Sequence, residues 1–175
     1  MSNIKLEKYY STLSYHLILE HMRCVSSFKK QHPKEEIDTD IFASLLNVFW
    51  TLCAAKEDKL IGNLRKEIEN NENNFRLNVT DKIFIDIVIA LYEKNYKNCK
   101  KLIGYIEEPH RKHKAIELVY DTLQKMGRYN TSVNLFIELH QHFFKGLLED
   151  DDYFRYFSVL NNFSSIVYMP ELLEW

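Results

Sequence analysis

The chain is short of the residues that reverse a backbone, with 4 Gly and 3 Pro among 175 residues. A sheet protein of this size needs many more turn residues to bring its strands back on one another. Few reversals mean long elements, and long elements are helices. Cysteine is equally sparse: Cys24, Cys53 and Cys99 are odd in number and widely separated, so neither a disulfide framework nor a CxxC metal pair can be read from them. Each sits in a helical apolar pattern, and free buried thiols are what a reducing compartment allows, which makes the cytoplasm the expected location. No stretch approaches the ~18 uninterrupted apolar residues of a spanning helix. The first eight residues lack the apolar core of a signal peptide, so neither a membrane span nor export by the usual signal is expected. A strong positive field is missing too. The formal charge of −2 argues against a general nucleic-acid or membrane-surface binder. From Lys145 onward six acidic residues face Lys145 and Arg155, so −4 lies there and +2 on the rest.

What the chain does have is apolar surface. Hydrophobic residues make up 46% and aromatics 14%, enough to offset the entropy of ordering a single helical domain over residues 1–175. Leu6, Tyr10, Leu13, Leu17, Cys24 and Phe28 repeat at helical spacing and predict a first helix ending before Pro33, with an apolar stripe that needs a partner. Thr39 or Asp40 then caps a helix carrying Leu45, Val48, Phe49 and Leu52, which breaks at Lys56-Glu57-Asp58 before Leu60, Ile61, Leu64 and Ile68. The Asn-rich segment from Glu69 to Asn74 reads as a flexible loop or insertion. Thr80 caps a helix through Phe84, Ile87, Val88 and Leu91, followed by a partner with Cys99, Leu102, Ile103 and Ile106. Pro109 opens the next, through Ile116, Val119, Tyr120 and Leu123, which stops at Gly127 as a left-handed C-cap before Leu135, Phe136, Leu139 and Phe143. Acidic residues from Glu149 favour the start of a last helix through Phe154, Phe157, Leu160 and Phe163. The expected fold is all-α: about 8 helices in antiparallel hairpins, either stacked or closed into a compact bundle. The tail, with Val167, Tyr168, Met169, Leu172, Leu173 and Trp175, is too apolar to stay free and should dock on its own core or on a partner.

Two of the hairpins are approximate copies. Phe84, Ile87, Val88 and Leu91 map onto Ile116, Val119, Tyr120 and Leu123 at an offset of 32, and Tyr96, Cys99 and Ile103 map onto Tyr129, Ser132 and Phe136 at 33. A small residue three after the turn Tyr lets the second helix approach the first, and the large residue four further on fills the seam. Over residues 81 to 143 this order of aromatic, small and large positions, with Gly127-Arg128-Tyr129 at a turn, resembles the tetratricopeptide repeat. The chain departs from the family at Tyr120, where Gly or Ala is preferred, and at Lys94, where the family has the turn Gly. Leu45, Val48, Phe49 and Leu52 extend the first-helix pattern at an offset of 39, but Gly62 and Lys66 break the second-helix phase. The resemblance implies ligand-facing positions on the first helix of each pair: Lys82, Ile85, Ile89 and Tyr92, then Lys114, Glu117, Asp121 and Gln124. A groove with one apolar and one polar stripe suits an amphipathic helix or an extended peptide.

No phosphate-binding Gly loop, HExxH, nucleophile elbow or kinase signature occurs, so neither catalytic residues nor a cofactor is expected. His16, Glu20, His21 and Cys24 lie along one helix, but four ligands do not converge from a single helix, so no metal site is expected and these are read as core or surface residues. His140 and His142 diverge by two positions and are read as surface histidines. Lys94, Lys97, Lys100, Lys101, Arg111, Lys112 and Lys114, with Tyr96 and Tyr105 between them and Glu93, Glu107 and Glu108 diluting them, read as a solvated face, not a nucleic-acid patch.

The leading expectation is a protein–protein interaction module, an adaptor or chaperone-like protein that takes another protein or peptide as partner, as small tetratricopeptide-like proteins of bacterial secretion systems do. A homo-oligomer is left open. The alternative is a pathogen or viral effector or inhibitor built as a helical bundle resembling the apoptosis regulators and acting on a host or competitor protein. An enzyme would need a polar pocket with a perturbed carboxylate or histidine, assembled only on folding.

Overall fold

The computed structural model describes residues 3–35, 40–71 and 74–144. Every regular element among them is helical: α1 (Asn3–Gln31), α2 (Phe42–Ala54), α3 (Asp58–Asn70), α4 (Val79–Tyr92), α5 (Tyr96–Gly104), α6 (Pro109–Lys125) and α7 (Tyr129–Phe144). The expected helix through Phe154 and Phe163, and the apolar tail after it, lie outside the described residues. The chain divides into two compact units, Met1–Leu139 and His140–Trp175. Helices α1 to α6, and α7 as far as Leu139, belong to the first unit.

Long uninterrupted α1 reflects a sequence with no Gly or Pro before Pro33, and Lys29 and Lys30 in its last turn sit favourably on the negative end of the helix dipole. The cap position of α2 is Ile41, not the expected Thr39 or Asp40; Asp40, one residue before it, accepts from the Phe42 N–H at 3.1 Å. Helix α4 starts one residue before the expected cap. Thr80 lies inside it, and Asn78 is the cap: its side chain accepts from Asp81 N–H at 2.9 Å while the Asp81 carboxylate accepts from Asn78 N–H at 3.0 Å. That reciprocal box satisfies two otherwise orphaned donors, which a lone Thr80 hydroxyl does not. Pro109 is the first residue of α6, where its missing N–H costs nothing.

Three turns join α2 to α3, α4 to α5 and α6 to α7, and all three close in the same way. A residue with positive φ follows each first helix: Lys56 at 57°, Lys94 at 60° and Gly127 at 69°. In each, the next residue's N–H reaches back to the carbonyl of Leu52, Ala90 or Leu123, and the left-handed residue's own N–H reaches Cys53, Leu91 or Gln124. These paired bonds use carbonyls that a helix end otherwise leaves to water. The second and third turns therefore superpose at an offset of 33 throughout, Ala90 matching Leu123. The 32-residue match of the apolar positions inside α4 and α6 is one residue out of step with their turns.

Helix α1 packs on α2 and α3; α2 packs on α4, and α4 on α5 and α6. Tyr15, Ile18, Leu19, Met22 and Val25 of α1 join Leu45, Phe49 and Leu52 of α2, Ile61, Leu64 and Ile68 of α3, and Phe75 in one buried cluster. The polar segment after α3 is tied to α1: Asn74 donates to Ser26 Oγ at 3.1 Å, and Lys29 Nζ donates to the Asn74 carbonyl at 2.8 Å. Asn71 and Asn74, read from sequence as part of a flexible loop, hold two elements together; Glu72 and Asn73 between them lie outside the described residues.

Candidate interaction surfaces

The seam expected between the paired helices is present. Cys99 and Ser132 are fully buried, as is Ile103, and Phe136 is 3% exposed. Tyr120 lies edge-on to Phe136 at 5.7 Å, so the large residue that departs from the repeat pattern is accommodated against α7. Arg128, in the third turn, donates to the Tyr96 hydroxyl at 2.7 Å and links the two turns.

The expected ligand-facing positions do not lie on one surface. Ile85 and Ile89 are buried in the cluster formed with α1, α2 and α3, and Tyr92 packs against it. They face α2, so their apolar area is used in the chain's own packing. Lys82 is half-buried. Lys114, Glu117 and Asp121 are exposed on α6, with His113 Nε2 3.2 Å from the Glu117 carboxylate. Gln124 is half-buried and donates to Ser132 Oγ at 2.6 Å, which fastens α6 to α7.

Beside the α6 stripe sits a cluster that the sequence pattern did not suggest. Trp50 of α2 donates through its indole N–H to the Thr122 hydroxyl at 3.0 Å, and Lys125 Nζ lies 3.0 Å from the centre of the Trp50 ring. Burial pushes the Asp121 carboxyl upward, helped by Glu117 and opposed by Lys125; burial pulls Lys125 down, opposed by Asp121. Both side chains are largely exposed, so these shifts bear on local charge far more than on stability. The buried hydroxyls of Thr122 and Ser132 are engaged in helix–helix hydrogen bonds.

The cysteines divide by exposure. Cys53 and Cys99 are buried, as expected, and burial pushes both thiols up to about 12. Cys24 is exposed, not buried as its place in an apolar pattern suggested. Among the described residues no group of three or more His, Cys, Asp or Glu is placed to hold a metal ion, and no helix is long and apolar enough to cross a membrane. The basic run is laced with acid: Lys100 pairs with Glu138 at 3.0 Å and Arg111 with Glu108 at 3.2 Å. Of the two late histidines His142 is exposed, whereas His140, expected at the surface, is 4% exposed. A depression of about 290 Å³ between α1 and α3 is lined by Leu19, Met22 and Arg23 on one side and Glu67 and Asn71 on the other. That is at the small end of the range for ligand pockets.

Helix α1 carries two apolar faces. The stripe read as needing a partner faces outward: Leu6 is 41%, Tyr10 55%, Leu13 42% and Leu17 62% exposed, and Tyr9 beside them 61%. The core is entered by the opposite face, from Ser11 through Tyr15, Ile18 and Met22 to Val25. A signal was available: Glu20 and His21 interrupt the outward stripe, while the inward one runs unbroken. Comparison of the chain with protein-family models, with curated proteins and with solved structures returned no match in any of the three.

Proposed function

We propose that the chain is a cytoplasmic protein–protein interaction module, an adaptor or chaperone-like protein that binds a partner polypeptide without chemistry of its own. The observation that supports this reading is the thrice-repeated left-handed turn, which joins helix pairs whose first helices α2, α4 and α6 pack in a row. That order is what a tetratricopeptide-like stack of hairpins would have, and such stacks present side chains of their first helices to peptides. With Ile85 and Ile89 buried, the face left for a partner is the α6 stripe of Lys114, Glu117 and Asp121, bordered by Lys125 on Trp50. Its mixed charge suits an extended segment carrying both acidic and basic side chains. A photo-cross-linking residue placed at Glu117 should capture a partner that one placed at the exposed Lys66 of α3 does not, and Asp121→Lys should abolish the capture. Equal capture from both positions would reject the α6 face.

A second reading rests on α4. From Thr80 to Tyr92 none of its residues is exposed, and it touches α2, α5 and α6. A central helix of this kind favours a bundle-type effector or inhibitor that takes an amphipathic helix by parting its own helices. Amide exchange separates the two: binding on the α6 face leaves exchange in α4 unchanged, whereas parting the bundle changes it.

A further inference from the structure

Helix α1 is apolar on two opposite sides, and among the described residues only one is covered. The uncovered side has the 4-3-4 spacing of Leu6, Tyr10, Leu13 and Leu17, continued at spacings of 3 and 4 by Glu20 and Cys24. Every residue of this line is exposed. Alternating three and four is the spacing of a coiled-coil seam, and over Leu6 to Cys24 it makes a line ~27 Å long at 1.5 Å per residue. Large apolar side chains gathered on one face mark a surface that something covers.

We propose that this face pairs with the same face of a second copy, antiparallel about a two-fold axis midway between Leu13 and Leu17. Charge complementarity argues for a second copy and for this direction. When residues whose numbers sum to 30 oppose each other, Leu13 meets Leu17 and Leu6 meets Cys24. Tyr10 meets Glu20, so the one carboxylate in the seam receives a phenolic hydroxyl. At the margins Glu7 meets His21 at a sum of 28, and Tyr9 meets Arg23 at 32, a cation over a ring. Glu20 keeps its own Arg23 at 3.6 Å and remains compensated as the seam closes. A parallel pair would set Glu20 against Glu20, a like-charge contact out of water. The antiparallel contact is isologous, each copy giving and receiving the same residues, and it closes at two chains.

A seam ~27 Å long and about 10 Å wide falls short of the ~800 Å² per partner of standard interfaces, so the dimer is weak and depends on concentration. Sedimentation equilibrium of the full chain from about 1 to about 100 µM, a range that brackets a micromolar Kd, should show a monomer–dimer equilibrium. The Leu13→Glu, Leu17→Glu double variant should be monomeric throughout, with unchanged helical circular dichroism and, at concentrations where the parent is also monomeric, an unchanged unfolding midpoint, because both side chains lie outside the core. Mild oxidation should convert a Leu6→Cys variant to a covalent dimer through the Cys24 of the other copy, while the parent chain is not linked. A parent chain monomeric at every concentration overturns the proposal. A dimer that survives the double variant places the contact elsewhere and does the same, and ready Cys24–Cys24 linkage in the parent chain overturns the antiparallel register.

Discussion

Helices α1 and α4 are both rich in large apolar residues, yet they use them differently. In α4, Ile87, Val88, Leu91 and Ala90 are at most 1% exposed, and every residue from Thr80 to Tyr92 is buried or half-buried. In α1, one line of residues enters the core while Leu6, Tyr9, Tyr10, Leu13 and Leu17 do not. Burying one such side chain is worth about 1.5–3 kcal/mol. The apolar residues of α4 thus hold the fold together, and those on the outer side of α1 contribute little to it. Apolar content alone does not separate the two roles; position relative to the neighbouring helices does.

The sharpest way to break this comparison is to truncate α4. Leu91→Ala removes a fully buried side chain and should cost about 2–5 kcal/mol, read as a lower denaturant midpoint with an unchanged slope. A cost near zero would mean that α4 is not the centre of the packing.

The next effect appears only in alkali, and it uses the cysteines to compare the outer side of α1 with α2 and α5, which pack against α4. The Cys53 and Cys99 thiols are raised from the ordinary 9.0 to about 12 in the folded chain, so folding tightens their hold on the proton. The stability this gives is present below pH 9.0 and is lost as pH rises toward about 12. Unfolding followed across that range should show a steep alkaline loss that Cys99→Ala makes shallower. At neutral pH a thiol reagent should modify exposed Cys24 in the native chain, and Cys53 and Cys99 only after unfolding.

The turns give smaller, opposite effects. A Cβ at Gly127 would meet nothing within 4 Å, so Gly127→Ala should cost only the left-handed backbone term, about 1 kcal/mol. Lys94 already carries that cost at φ 60°, and Lys94→Gly should raise stability by about 0.5 kcal/mol. Thermal midpoints moving in the same direction for both would contradict the shared turn geometry. Thr122→Val leaves the Trp50 indole N–H without its acceptor and should cost about 1 kcal/mol, with a change in tryptophan emission on the α2–α6 side.

Much of the helical order was legible in the sequence because it rests on local chemistry. Pro109 at a helix start, Gly127 at a helix end and the buried Cys99 and Ser132 all follow from steric rules that act within a few residues. The α4 cap was missed because the Asn78–Asp81 box is a stronger pairing than Thr80 offers. Local chemistry does not carry which face of a helix meets which neighbour. On α1 two apolar stripes lie half a turn apart, and which one meets α2 is decided by residues far along the chain. Ile85 and Ile89 are groove residues only by the tetratricopeptide resemblance, and no local spacing marks the helices that bury them. The Trp50–Thr122–Lys125 cluster joins residues more than 70 positions apart and leaves no local mark.

The two-sided character of α1 is tested most directly by two truncations on one helix. Met22 is 3% exposed and Leu17 is 62% exposed. Equilibrium unfolding should be followed by fluorescence at a concentration low enough to keep the chain monomeric. Met22→Ala is then expected to lose about 2 kcal/mol or more and Leu17→Ala no more than about 0.5 kcal/mol. Equal losses, or a larger loss at Leu17, would contradict the account.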